Sequence, residues 1–205
     1  SRVTEEVVAQ MNKKTCQITP EQVISSIEHS LLNPDQTRDS VIIGCEDAKK
    51  YGFANVVITP YFVPMAAKML SGTGVGVCTA VGFPHAAAGT AAKLAEIKQA
   101  ILSGATELDV CPNYVAIKSG EYDFVAKEMD MMLKEAGDKV LVKIIYEQGL
   151  FTDAEKSIVL KIIKNSGAKF LKIANTLTGK KAMEEDVQFV RSIVGKNMGI
   201  KIDGG

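Results

Sequence analysis

The pentapeptide FLKIA, residues 170–174, places a lysine at the centre of a short apolar run. Such a run, bounded by a turn and a polar loop, is typical of a buried strand in a parallel sheet. A buried ammonium group is costly unless something compensates its charge. Two further runs repeat the pattern, since VLVKII contains Lys143 and GIKID contains Lys201, each 29 residues from Lys172. The equal spacing predicts three equivalent positions on neighbouring strands.

Composition and charge limit the classes of partner. The chain has 205 residues, enough for one domain with a sizeable core. It carries 24 Lys plus Arg and 24 Asp plus Glu, so no basic field favours nucleic acid or an anionic membrane. The absence of Trp also argues against a surface that stacks on bases. We therefore predict neither a nucleic-acid nor a membrane partner.

The N-terminus and the cysteines indicate the compartment. Residues 1–14 (SRVTEEVVAQMNKK) are charged and amphipathic, unlike a secretory signal. No apolar run approaches the roughly 18 residues that a transmembrane helix needs. The cysteines are scattered and form no C-x-x-C spacing; they are Cys16, Cys45, Cys78 and Cys111. The pattern predicts reduced structural thiols in a cytoplasmic protein.

Short apolar runs alternate with amphipathic stretches along the chain. The predicted strands span residues 23–32, 55–60, 74–82, 107–112, 140–147, 169–175 and 199–203. The predicted helices span residues 38–51, 63–71, 90–103, 121–136, 152–166 and 184–194. Thr152 and Glu155 are spaced as in a helix capping box. This alternation predicts βαβ units and an α/β fold with a parallel sheet.

Seven strands spaced by about 30 residues favour a TIM (β/α)8 barrel over a doubly wound sheet. No G-x-G-x-x-G follows the first strand, which also weakens a dinucleotide-binding interpretation. A complete barrel usually needs about 250 residues. We therefore expect the eighth β/α unit to be missing from the sequence. The predicted organisation is an N-terminal helical extension at residues 1–20 and a barrel domain at residues 21–205.

Alternation along the strands predicts which charges point into the barrel. If Lys172 points inward, the same phase turns Lys143 and Lys201 inward. On the fourth strand, Asp109 lies between Leu108 and Val110, which would face the helices. Three lysines and a carboxylate would then converge inside one barrel. The simpler alternative is structural: a Lys143–Asp109 ion pair, with the other lysines extending toward solvent.

Converging lysines suit Schiff-base chemistry. The nucleophile must be a neutral amine, yet a free lysine has a pKa near 10.4. Lowering that pKa to about 7 requires about 4–5 kcal/mol. A second ammonium group about 6 Å away supplies about 2–3 kcal/mol at an effective dielectric constant near 20, and desolvation could add more. A carboxylate can exchange protons through water. The pattern therefore favours a class I aldolase.

The chain resembles the deoxyribose-phosphate aldolase family from about residue 22 to its end. The matching stretches are IEHSLLNPDQT, VVITPYFVP, VGFPH, GATELDV, KSGEYDF, LVKIIYE, AKFLKIA and GIKIDGG. The resemblance implies a TIM barrel that reversibly cleaves 2-deoxy-D-ribose 5-phosphate to acetaldehyde and D-glyceraldehyde 3-phosphate, in deoxyribonucleoside catabolism. It also implies no metal and no organic cofactor, and a homodimer or homotetramer.

The resemblance assigns roles residue by residue. Lys172 matches the Schiff-base lysine, and Lys201 matches the second lysine that lowers its pKa. Asp109 matches the proton-relay aspartate, and Lys143 matches a lysine beside that aspartate. Glu28 stands where the family usually has Asp, so its carboxylate is retained on a side chain one methylene longer.

The family binds the substrate phosphate through glycine-rich loops after strands six, seven and eight. Gly179 and Lys180 match the first of these loops, and Gly204 and Gly205 match the second. The third loop would follow residue 205. Ordinary turn chemistry is the alternative explanation for these glycines.

Departures from the family pattern leave the substrate open. Ile173 replaces a Thr, Asn175 begins a strand-six loop about two residues longer than usual, and Asp203 adds an inward carboxylate near Lys201. That acid would pair with Lys201 or repel the phosphate. Two alternatives follow: a non-catalytic or repurposed barrel that binds or scaffolds, and a Schiff-base aldolase for a different aldehyde.

Other polar residues are predicted to be structural. His29 is expected to form a structural hydrogen bond, and His85 to lie in a loop, with substrate contact as the alternative. Two histidines so placed do not make a metal site. Asp123, Glu128 and Asp130 are predicted to form a solvated helix face.

Overall fold

The computed structural model describes residues 18–179 and 181–203. Its seven strands are all parallel and are paired in chain order. They are β1 (Glu28–Leu31), β2 (Asn55–Ile58), β3 (Gly76–Val81), β4 (Glu107–Val110), β5 (Leu141–Glu147), β6 (Phe170–Ala174) and β7 (Gly199–Ile202). The predicted parallel sheet is therefore confirmed.

Helices follow the strands and cover the outer face of the sheet. They are α1 (Pro20–Ile24), α2 (Arg38–Tyr51), α3 (Val63–Leu70), α4 (Thr90–Leu102), α5 (Tyr114–Lys118), α6 (Tyr122–Ala136), α7 (Asp153–Asn165) and α8 (Glu184–Val194). Short 3-10 turns span Pro60–Phe62, Gly137–Lys139 and Gln148–Leu150. Within the described ranges, no helix combines the length and the apolar character needed to cross a bilayer.

Local signals in the sequence account for several helix ends. Thr37 caps α2 by accepting a hydrogen bond from the backbone N–H of Ser40. The same helix ends at Gly52, which adopts a left-handed conformation with φ of 73°. The predicted capping box of α7 is confirmed, because Thr152 and Glu155 each accept a hydrogen bond from the other's backbone N–H.

The sheet curls so far that its two edge strands face each other. Lys201 on β7 forms an ion pair with Glu28 on β1, although the two strands are not paired by backbone hydrogen bonds in the described residues. A flat sheet would hold these edges six strand spacings apart, at about 4.8 Å per spacing. The described residues thus form an open TIM-type barrel of six β/α units and a seventh strand.

The hydrophobic core lies mainly between the outer face of this barrel and the helices. Alternation turns Leu108, Ile144 and Leu171 outward, and all three are fully buried. Ile173 also belongs to this core and is fully buried. The side chain of Ile173 therefore belongs to the layer between the sheet and the helices and lies outside the barrel interior.

The predicted strand at residues 23–32 is wrong at its beginning. Thr19 accepts a hydrogen bond from the N–H of Gln22, and Pro20 occupies the first turn, so α1 forms and β1 begins only at Glu28. Helix α5 was not predicted, although Asn113 caps it. Of the predicted extension at residues 1–20, residues 1–17 lie outside the described part of the chain.

Glu128 was predicted to lie on a solvated helix face, and this prediction is wrong. Its carboxylate lies on α6 and is fully buried, with Oε2 3.0 Å from Nζ of the equally buried Lys93 on α4. Glu128 also accepts hydrogen bonds from the hydroxyl of Thr90 and the N–H of Asn113. The buried ion pair therefore joins α4 and α6, and the hydrogen bond from Asn113 connects the loop after β4 to the same carboxylate.

Removing one member of this buried pair should destabilise the fold strongly. In Glu128→Ala the Lys93 ammonium group stays buried without its partner, and we expect the free energy of unfolding to fall by about 3–5 kcal/mol. The control is Asp130→Ala on the same helix, which removes an exposed pair with Lys134 and should cost about 0.5 kcal/mol or less. Urea denaturation measures both, and equal losses would contradict the assignment.

Candidate active site

Asp109 lies at the centre of the predicted lysine cluster. Its Oδ2 is 3.0 Å from Nζ of Lys172 and 3.3 Å from Nζ of Lys201. Its Oδ1 is 3.2 Å from Nζ of Lys143. Strand register explains the meeting, because Asp109 is paired with Lys143 and Lys172 is paired with Lys201. The four residues therefore converge as the alternation of the strands predicted.

The Asp109 carboxylate is held in its ionised form. The residue is fully buried, and burial alone would raise its pKa. The ammonium groups of Lys172, Lys143 and Lys201 outweigh this effect and hold the pKa of Asp109 below its ordinary value. Both carboxylate oxygens are occupied by these contacts, so Asp109 anchors the cations of the cluster.

Two further carboxylates surround the lysines. Glu28 contacts both Lys201 and Lys143, the latter at 3.4 Å, which confirms that this carboxylate reaches the cluster. Glu107, two residues before Asp109 and in the same inward phase, forms an ion pair with Lys143. Burial would lower the Lys143 pKa, but the negative charges of Asp109, Glu28 and Glu107 outweigh this effect and raise it.

One group of side chains has the donor types of a metal site. Ligand atoms of Glu28, Cys78 and Asp109 lie within 4.8 Å of one another. The Lys143 ammonium group contacts all three, at 3.4, 3.5 and 3.2 Å respectively. A cation thus already occupies the position between these ligands, so the donor set does not fit a divalent metal.

The pKa of Lys172 is shifted by the carboxylates around it. It is 1% exposed, and this burial would lower its pKa, but Asp109 and Asp203 outweigh that effect and raise the pKa above its ordinary value. The lowering of this pKa by Lys201 stays a prediction. Lys201 is itself paired with Glu28 and Asp109, and these contacts compensate part of its charge.

Asp203 lies beside a different lysine from the one predicted. Its Oδ2 is 3.4 Å from Nζ of Lys172, and no ion pair with Lys201 is recorded in the described residues. Asp203 follows β7 directly, and its N–H donates to the carbonyl of Ile173 at 2.9 Å. The backbone at the end of β7 therefore places the Asp203 carboxylate next to Lys172 on β6.

A cavity of about 630 Å³ lies between β7 and β1, beside the cluster. Its charged lining residues are Glu28, Lys172, Lys201 and Asp203, and apolar side chains such as Phe170 and Val57 complete the wall.

Glu147 is a site residue that the sequence analysis missed. It lies at the end of β5, is 1% exposed, and accepts a hydrogen bond from the N–H of Leu177 at 3.0 Å. Burial raises its pKa, although the N–H of Leu177 favours the ionised form. Gly149 allows the β5 and β6 loops to touch, since a Cβ there would lie 2.3 Å from Oγ1 of Thr178. Glu147 lies four residues after Lys143 on the same strand, so both side chains point inward. This spacing was the signal in the sequence that could have identified Glu147.

The loop after β6 contains the first of the predicted phosphate-binding residues. Gly179 has φ of 65°, and its N–H donates to the carbonyl of Asn175 at 2.8 Å. The amide group of the buried Asn175 and the hydroxyl of Thr178 have no hydrogen-bond partner in the part of the chain that the structure describes. The other predicted residues, Lys180, Gly204 and Gly205, lie outside the described residues.

The two histidines lie outside the cluster. His29 packs against the ring of Phe53, with 5.9 Å between ring centroids, and forms no side-chain hydrogen bond among the described residues. An aromatic contact therefore replaces the expected hydrogen bond. His85 is exposed in the loop after β3, as predicted.

Sequence comparison finds relatives along most of the chain. The deoxyribose-phosphate aldolase of Caldanaerobacter subterraneus subsp. tengcongensis is 41% identical over 186 residues, which cover 89% of this chain and 80% of that protein. The protein of the same name from Bacillus mycoides is 41% identical over 179 residues, covering 87% of this chain and 80% of that protein. A scan against models of protein families found no match.

Structural comparison agrees. The deoxyribose phosphate aldolase of Aeropyrum pernix, described as a unique tetrameric structure, superimposes with a TM-score of 0.83 at 30% identity, covering 91% of this chain and 79% of that one. Triosephosphate isomerase from Bartonella henselae, at 11% identity and a TM-score of 0.53, shares the fold alone. Because close relatives span most of both chains, this TIM-barrel protein belongs to the deoxyribose-phosphate aldolase family.

Proposed function

We propose that this protein is a class I aldolase that reversibly cleaves 2-deoxy-D-ribose 5-phosphate to acetaldehyde and D-glyceraldehyde 3-phosphate, with Lys172 as the Schiff-base nucleophile. One observation carries the assignment of the nucleophile: Lys172 is a buried lysine whose ammonium group contacts the carboxylates of Asp109 and Asp203. Family membership supports the reaction and its place in deoxyribonucleoside catabolism.

The reaction begins at the substrate aldehyde. The neutral amine of Lys172 attacks C1, the carbonyl oxygen takes up a proton, and water leaves to give an iminium ion. The C2–C3 bond then breaks as its electrons move toward the iminium nitrogen, while the C3 hydroxyl loses its proton. This releases D-glyceraldehyde 3-phosphate and leaves an enamine, which is protonated at C2 and hydrolysed to acetaldehyde and free Lys172.

Charge conservation explains why carboxylates beside the nucleophile are compatible with this chemistry. The Lys172 ammonium group and the aldehyde give an iminium ion and water, so one positive charge is present before and after. Asp109 and Asp203 stabilise both cations. They reduce the fraction of neutral amine, but they do not shift the overall equilibrium against the iminium ion.

The other cluster residues support the nucleophile. Lys201 shares Oδ2 of Asp109 with Lys172, so the two ammonium groups are at most two hydrogen-bond lengths apart. We assign Lys201 the role of drawing part of the Asp109 charge away from Lys172, which tunes the nucleophile's pKa downward. Asp109 and Lys143 are assigned to the proton relay, and Glu28 holds Lys143 and Lys201 in place.

The phosphate is assigned to the loop after β6. Gly179 brings its backbone into this loop, and Glu147 holds the loop through the N–H of Leu177. Asn175 and Thr178 add polar groups that are unpaired within the described residues. Lys180, Gly204 and Gly205 stay predicted partners of the same phosphate.

The nucleophile can be identified by chemical trapping. Borohydride reduction in the presence of acetaldehyde should fix an ethyl group on Lys172, located by peptide mass mapping. Lys172→Ala should lose at least about 10³-fold in kcat because no covalent intermediate can form. Lys169→Ala, which removes an exposed lysine just before β6, is the control and should keep its activity.

The contrary results are equally clear. Labelling of another lysine, or full activity in Lys172→Ala, would disprove the assignment. If the wild-type chain showed neither trapping nor turnover, the alternative of a non-catalytic barrel that binds or scaffolds would be favoured.

A second candidate reaction uses an unphosphorylated aldehyde. The observation that favours it is Asp203, whose carboxylate lines the cavity next to Lys172 and would repel a phosphate placed nearby. If the loop after β6 binds the phosphate away from Asp203, kcat/KM for 2-deoxyribose 5-phosphate should exceed that for 2-deoxyribose at least about tenfold. This ratio corresponds to a difference of about 1.4 kcal/mol in transition-state stabilisation. Steady-state assays of both sugars decide, and equal or reversed values would favour the second candidate.

We also propose that the protein acts as a homodimer or homotetramer in the cytoplasm. A relative described as tetrameric supports assembly. The free, buried thiols of Cys45, Cys78 and Cys111 support a reducing compartment. Light scattering should give two or four times the mass of one chain, and the mass of a single chain would contradict the proposal. Recovery of the protein from outside the cell would contradict the location.

A further inference from the structure

Asp203 is positioned to do more than compensate a charge. We propose that Asp203 is a second acid–base residue, which exchanges protons directly with the Lys172 amine and with the oxygen of the carbinolamine formed there. The inference rests on the proposed Schiff-base function and extends it to a residue outside the cluster centred on Asp109. It concerns the steps that form and hydrolyse the iminium ion.

Geometry places Asp203 at the reacting atom. Its Oδ2 lies 3.4 Å from Nζ of Lys172, so a small rotation of the side chain brings it within hydrogen-bond distance. The backbone of Asp203 is fixed by its hydrogen bond to Ile173. Its carboxylate is therefore held beside the reacting nitrogen from a fixed backbone position.

The other carboxylates near Lys172 are already committed. Asp109 has both oxygens in contact with lysines. Glu28 likewise contacts a lysine with each oxygen. Glu147 accepts the hydrogen bond that holds the β6 loop. Among the described carboxylates of this site, Asp203 has Lys172 as its single recorded partner.

The charged groups around Lys172 and Asp203 come from five strands or strand ends. They are Glu28 from β1, Glu107 and Asp109 from β4, Lys143 and Glu147 from β5, Lys172 from β6, and Lys201 with Asp203 from β7. Lys172, Lys201, Glu28 and Asp203 also line the cavity of about 630 Å³. A carbonyl carbon attacked by the Lys172 amine would have its oxygen within reach of the Asp203 carboxylate.

The proton transfers balance without any further reactant. Asp203 takes a proton from the Lys172 ammonium group, and the resulting amine forms a bond to the carbonyl carbon as the C=O π electrons move to oxygen. The oxygen takes the proton from Asp203, which then removes a second proton from nitrogen. Asp203 returns this proton to the hydroxyl group, water leaves, and the nitrogen lone pair forms the C=N bond. Asp203 ends as it began, ionised.

A substitution separates this role from a purely electrostatic one, because the two predict opposite signs. Asp203→Asn removes a negative charge from Lys172, so electrostatics alone would lower the lysine pKa and accelerate amine attack near neutral pH. Loss of an acid–base group should instead slow iminium formation by at least about tenfold. Asp203→Glu should recover part of the rate, since it restores a carboxylate.

The measurement is the rate of iminium formation with acetaldehyde, followed by rapid borohydride quenching from pH 6 to 9 and by peptide mapping. We expect slower formation in Asp203→Asn, with the final labelled fraction changed by less than about twofold, because Asp203 stabilises ammonium and iminium alike. Asp203→Ser is a second neutral variant and should behave in the same way. Asp130→Asn, on the exposed face of α6, is the control and should match the wild type.

Two results would be decisive against the proposal. A rate in Asp203→Asn and Asp203→Ser that equals or exceeds the wild-type rate would overturn the role of Asp203 and leave the Schiff-base function intact. Absence of a label on Lys172 in the wild-type protein would overturn the proposed function itself. The wild-type label and the variant rates thus report the two failures separately.

Discussion

The site depends on one buried carboxylate that three ammonium groups share. Asp109 has no exposed surface, and its two oxygens contact lysines from β5, β6 and β7. Burying any of these lysines alone would cost several kcal/mol, and shared contacts with one anion offset that cost. Glu28 extends the network to β1. The ion pairs therefore concentrate reactive amines and also join the edges of the open barrel.

The same network sets a conflict that catalysis must resolve. The carboxylates that compensate the buried lysines also raise the pKa of Lys172, which opposes formation of its neutral amine. Attack on the carbonyl carbon requires the neutral amine of Lys172. The iminium ion that forms is a cation, so the carboxylates stabilise it. A proton acceptor that is close, accessible and reversible resolves this conflict. Asp203, whose Oδ2 lies 3.4 Å from Nζ of Lys172, is placed to act in this way.

Residues that differ from the family pattern act in distinct ways. Ile173 faces the helices and fills the core, so its replacement of Thr does not reach the barrel interior. Asn175 is buried at the end of β6, in the loop that Glu147 holds. Asp203 faces the cavity and contacts the nucleophile.

Sequence alone determined the parallel sheet, most helix bounds and the inward lysines, because strand alternation and helix periodicity are local properties. Tertiary structure decided what depends on distances between separate elements. It paired Glu128 with Lys93 inside the protein, turned Asp203 toward Lys172, and brought Glu147 to the β6 loop. The direction of the Lys172 pKa shift belongs to this second group, because it depends on how many carboxylates surround an amine in space, and spacing along a chain does not encode that number.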